Sequence, residues 1–170
     1  MKPAPRKLAL TVHLVSSVGW IGAVVGFLVL VVAALWSQNT QTMRAVWVAL
    51  ELTGWFAIVP LALVALLSGF VLSLGTSWGL LRHYWVVFKL LLSVLATLVL
   101  LINMQTVSAV SKGVAQTGNV ALSALQSELL HAGGGMLVLL VTTILSVYKP
   151  RGMTRFGRQQ GRKQLQTLQS

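Results

Sequence analysis

Three ionisable side chains fall inside otherwise apolar stretches of this sequence: His13, Lys89 and His131. Four more, Glu51, Glu128, Arg82 and His83, stand at the edges of those stretches. A charged side chain at the centre of a bilayer costs about 3 kcal/mol or more unless it finds a partner, so each position calls for a reason. Imidazoles ligate iron and other transition metals and carry protons near neutral pH. An ammonium group on the same level pairs with an anionic substituent.

A helical rise of about 1.5 Å per residue sorts these groups into two layers. His13 is five residues past Leu8, roughly 8 Å in from the side where the chain starts. Lys89 is six residues past His83, roughly 9 Å in from the same side. His131 precedes Tyr148 by 17 residues, roughly 25 Å from that side. The first layer is therefore His13, Lys89, His83 and Arg82, and the second is His131, Glu51 and Glu128. Each group also has a structural role open to it. His13 can hydrogen-bond a neighbouring helix, Lys89 can extend to the headgroups, and Arg82 and His83 can anchor the interface. Glu51 and His131 can pair as an outer hydrogen bond, and Glu128 is expected to be solvated.

The elements that must position these groups follow from the spacing of charge. The chain has 170 residues, with 13 Lys and Arg against 2 Asp and Glu. Charge-free stretches cover residues 8–43, 52–81, 90–111 and 129–148. Each is long enough for the roughly 20 apolar residues that cross a bilayer. The expected fold class is all-α, a polytopic integral membrane four-helix bundle. Its transmembrane domain is 1–152, with helices at about 8–36, 42–74, 81–110 and 120–148. Residues 153–170 form a basic, flexible tail. A polar turn with Gly, Thr and Asn at 112–119 separates the third and fourth helices. Proline ends the fourth at Lys149-Pro150.

Lys and Arg bias sets the orientation. Eleven lie in the N-terminal tail, the 74–89 segment and the C-terminal tail, against Arg44 and Lys112 on the other side. Both termini are thus expected in the cytoplasm, with anionic headgroups as partners of the basic face. Trp78, Tyr84 and Trp85 then form an inner aromatic belt, and Trp36 and Trp47 an outer one. The expected location is the bacterial inner (plasma) membrane, multi-pass.

Composition excludes several chemistries. No cysteine means no thiol nucleophile, disulfide, thiolate zinc or iron–sulfur site. With Glu51 and Glu128 the only carboxylates, neither a Ser-His-Asp triad nor a carboxylate metal cage can be built. No glycine-rich phosphate loop is present. The basic tail has too little aromatic content to stack nucleic-acid bases, so its charge is read as a topology signal.

Small residues give a further pattern. The first helix carries Ser16, Gly19 and a Gly22-x-x-x-Gly26 spacing, and the fourth opens His131-Ala132-Gly133-Gly134-Gly135. Such stripes allow close helix packing, or a flat wall beside a histidine for a planar ligand. Met104 and Met136 are alternatives for copper or for packing. Pro60 should kink the second helix and free the Phe56 carbonyl.

Several segments carry a resemblance: RKLALTVHLVSSVGWIGAVVGF (6–27), TGWFAIVPLALVALLSG (53–69), LGTSWGLLRHYWVVFK (74–89), LLHAGGGMLVLL (129–140) and YKPRG (148–152). Over about 150 residues they resemble a bacterial family of four-helix integral membrane proteins with a domain of unknown function. A weaker likeness is to the HemJ-type protoporphyrinogen oxidases and to the membrane domain of copper-resistance protein D. The HemJ-type signature around haem corresponds here to His13, Trp20 and Gly22, then Trp85 and Lys89. The histidine that family carries at the far end of its third helix is replaced by Ile102-Asn103-Met104.

Three functions remain open at this point. The first is a haem-binding or redox protein, with haem b held by His13 beside Lys89, Trp20 and Gly22. His83 would be a second ligand, and His131 a separate metal site or part of a polar site with Glu51 and Glu128. The second is a non-catalytic scaffold or accessory subunit that recruits a membrane protein partner or a second copy of the chain. The third is copper or small-solute permeation by an oligomer. Whether the chain is an enzyme is left open.

Overall fold

The computed structural model describes residues 3–37, 39–75, 84–117 and 122–148. Among them the chain is helical and has no strand: α1 (Pro3–Trp36), α2 (Thr40–Thr53), a π-helical turn (Gly54–Ile58), α3 (Val59–Gly75), α4 (Tyr84–Thr117) and α5 (Leu122–Tyr148). Segments α2, the π turn and α3 run on as one span. That leaves four helices long and apolar enough to cross a membrane: Ala4–Trp36, Thr40–Leu74, Tyr84–Gln116 and Leu122–Tyr148. At most 28% of the most apolar window of any span is buried within the chain. Side chains such as Leu14, Val18, Phe56, Ile102 and Leu137 are exposed, a surface suited to hydrocarbon and costly in water.

The four spans pack as a ring in which each touches its two neighbours. Helix α1 lies against α3 and α5, and α4 lies against the second span and α5. The shared core runs from Trp20, Val24 and Phe27 through Trp47, Leu50, Ile58, Met104 and Val107 to Leu125 and Leu139.

Two helix limits differ from the sequence expectation. Helix α1 begins at Pro3, so Arg6 and Lys7 are helical; proline at a helix start loses no hydrogen bond and carries a suitable φ. Helix α4 continues to Thr117, through the expected turn at Lys112 and Gly113. Its inward residues Val107, Ser111 and Val114 are buried, and that packing overrides the single glycine. Asn39 caps α2, its Oδ1 accepting from the Gln41 and Thr42 amides at 2.8 and 3.4 Å.

Pro60 has its effect one turn early. The Val59 amide donates to the Gly54 carbonyl, a one-residue widening of the helix. A proline clashes with the carbonyl four residues before it, here Phe56, and the π turn makes room for that carbonyl. The expected aromatic belt is also revised. Trp36 is 84% exposed, but Trp47 is fully buried, on one stripe of the second span with Leu50 of α2 and Gly54 of the π turn. Its indole Nε1 has no hydrogen-bond partner among the described residues. Trp78, Arg82, His83 and the tail 153–170 lie outside the described residues.

Candidate functional site

At the end of the bundle that carries Pro3 and Tyr148, four helices enclose a cavity of about 520 Å³. Helix α1 supplies Arg6, His13 and Trp20, the first two being seven residues apart and so on one face. Helix α4 supplies Trp85, Lys89 and Ser93 at a spacing of four. Helices α3 and α5 close the remaining walls with Gly69, Thr142 and Ser146, among others. Two cations line the cavity and no carboxylate does.

His13 is fixed by α3. Its Nδ1 lies 2.9 Å from the Ala65 carbonyl and 3.1 Å from Ser68 Oγ. A carbonyl only accepts, so Nδ1 carries the proton, and in the neutral ring Nε2 keeps a lone pair. Gly69 makes this approach possible: a Cβ there would stand 3.0 Å from His13 Cε1. Lys89 crosses to the facing helix, where its Nζ donates to Ser146 Oγ at 2.5 Å. Ser146 in turn donates to the Thr142 carbonyl at 2.7 Å.

The first layer is therefore one site in part. His13, Lys89, Trp20 and Trp85 line a common cavity, whereas Gly22 is exposed, lines neither cavity and has nothing within 4 Å of a Cβ built on it. Arg6 and the α3 partners Ala65, Ser68 and Gly69 are additions that the charge pattern did not single out. Arg6 was legible only if the helix began at Pro3, which places it two turns before His13.

The second layer is arranged differently from the expectation. Glu128 is 2% exposed, and Asn103 Nδ2 donates to its Oε2 at 2.8 Å. A carboxyl on the inward stripe of α5 is carried into the core by Leu125 and Leu139, and Asn103 on α4 meets it there. His131 is exposed. Its Nδ1 donates to the Ser127 carbonyl of its own helix at 2.8 Å and is 3.3 Å from Ser127 Oγ. No hydrogen bond joins Glu51 to either group among the described residues.

Beside this layer lies a second cavity of about 310 Å³ between α1, α4 and α5, lined by Trp20, Phe27, Asn103, His131, Gly134 and Gly135 among others. Met104 packs on Gly54, where its thioether occupies the place of a Cβ. Met136 is only partly buried, against the core. No group of three or more His, Cys, Asp or Glu side chains able to hold a metal occurs among the described residues. No protein-family model, curated protein or solved structure matches the chain.

Proposed function

We propose that this chain is a bacterial plasma-membrane protein that holds a haem-type tetrapyrrole in the His13 cavity and serves a redox role there. One observation carries the reading. His13 is locked through Nδ1 onto the Ala65 carbonyl, with no hydrogen-bond partner for Nε2 among the described residues, in a cavity that also holds Lys89 and Arg6. A backbone carbonyl on the distal nitrogen is the usual way to orient a metal-binding imidazole. Haem b combines a flat apolar ring, an iron that takes imidazole nitrogen and two carboxylate substituents. The residues present fit each part. His13 would ligate the iron, Lys89 and Arg6 would pair with the propionates, and Trp20 and Trp85 would form the apolar walls. The bound group would supply one-electron chemistry. The chain's own part is to fix the imidazole tautomer, neutralise the propionates and exclude water from the ring.

Lys and Arg distribution supports an orientation with both termini, and so this cavity, toward the cytoplasm. The test is haem titration of the detergent-purified protein, followed by absorption. Uptake of one equivalent with a sharp Soret band is expected, lost in His13→Ala and weakened about tenfold in Lys89→Ala, the scale of one charge-assisted bond. A chain that stays colourless, or His13→Ala binding as the parent does, would overturn the reading.

A colourless chain would favour the second reading, a scaffold or accessory subunit. Gly22 and Gly26 support it, since both are exposed on α1 with open space where a Cβ would point. Among the described residues no helix packs on that face.

A further inference from the structure

The 310 Å³ cavity shares Trp20 and Leu139 with the His13 cavity but has a chemistry of its own. Its walls are apolar apart from two polar side chains, Asn103 of α4 and His131 of α5. Leu95, Val99 and Leu130 line it and are also exposed, so it opens onto the apolar outer surface of the bundle. An occupant must therefore come from the membrane. Three features of the wall restrict what it can be.

The first is the state of the histidine. Nδ1 of His131 donates to the Ser127 carbonyl, so Nε2 of the neutral ring is an acceptor and selects a ligand that donates. The second is that Asn103 is already committed. One amide hydrogen goes to the buried Glu128, which fixes the orientation of the amide and leaves the imidazole as the acceptor for a ligand. The third is the shape of the α5 wall. Gly134 and Gly135 present bare backbone with nothing within 4 Å of a built Cβ, which leaves room for a planar ring against the helix. Trp20 and Phe27 add aromatic surface for that ring. The volume is at the small end of ligand sites, enough for a single substituted ring.

We propose that this cavity is a binding site for a lipid-soluble phenol, whose ring lies along Gly134 and Gly135 and whose hydroxyl donates to His131 Nε2. The hydroxyl is what a ketone, an ether or a hydrocarbon of the same shape lacks. Where that acceptor faces hydrocarbon instead of water, such analogues bind less well because they leave it unpaired. This inference stands apart from the reading of the His13 cavity.

The test is calorimetric titration of the full chain in lipid nanodiscs with diisopropylphenol and with its methyl ether, which has the same apolar body and no donor. Saturable binding of one phenol per chain is expected, with the ether about tenfold weaker. In His131→Leu the phenol should fall to the level of the ether, while the ether is unchanged. His131 is exposed, so this variant keeps the fold. Gly135→Leu fills the cavity and should abolish binding of both; should it fail to fold, Leu95→Trp at the exposed rim blocks the same opening. His13→Ala should leave phenol binding intact, which separates this site from the haem reading. Equal affinity for phenol and ether, or a phenol affinity unchanged by His131→Leu, would overturn the proposal.

Discussion

A carboxyl group with 2% of its surface exposed depends on what the protein places beside it, and for Glu128 that is the Asn103 amide at 2.8 Å. Removing one member of such a pair leaves the other buried and unsatisfied, at a cost of about 1–3 kcal/mol. Removing both leaves no orphan. Asn103→Leu should therefore lower thermal stability in detergent by an amount in that range. Adding Glu128→Leu to it should recover most of the loss. Glu128→Gln, which still offers an oxygen to Asn103, should have a small effect. Two single losses that simply add would show that the two groups are not coupled. Neither this pair nor the contact of His13 with Ala65 was legible in the sequence. Depth along a helix can be counted from its end, but which face turns inward cannot be counted. In lipid both faces are apolar, so the hydrophobic period that marks the inward side of a water-soluble helix is absent.

At the scale of the element, the second span shows how one sequence feature is answered by its neighbours. Pro60 was legible as a break in regular hydrogen bonding, and the π turn at Gly54–Ile58 is how the helix absorbs it. What hydropathy did not reveal is why Gly54 opens that turn. The Met104 side chain of α4, 1% exposed, occupies the space a Cβ would take. Trp55, the next residue, donates from Nε1 to Ser108 Oγ on the same helix at 2.9 Å, fixing the two elements in register. Gly54→Ala must therefore push Met104 out of a packed core, an overpacking cost of about 1–3 kcal/mol. Met104→Ala on its own leaves a cavity worth about 2–5 kcal/mol. In the double variant the new methyl group partly fills that cavity, so its loss should be clearly smaller than the sum of the two. Thermal unfolding of the three variants measures this directly. Strict additivity would mean that Gly54 and Met104 do not share the space.

For the whole molecule, the four spans were the most legible feature, because charge-free runs of bilayer length leave few alternatives for a chain with 13 basic residues. The same charges argue its direction. Eleven Lys and Arg fall in the N-terminal, 74–89 and C-terminal segments of the sequence, while Arg44 and Lys112 fall in the two stretches between them. That asymmetry orients a chain because basic segments near a span resist translocation, whereas acidic residues contribute little. The absence of cysteine makes the direction measurable without altering any native thiol. Gln41 and Ala4 are both exposed, at opposite ends of the bundle. In intact cells Gln41→Cys should react with a membrane-impermeant maleimide, and Ala4→Cys should react only after permeabilisation. The reverse pattern would place the Lys89 and Arg6 cavity on the outer side, where its two cations would meet ligands arriving from outside the cell. Labelling of both sites in intact cells would mean that the two ends share one side, and the four-span ring could not then cross the bilayer as a unit.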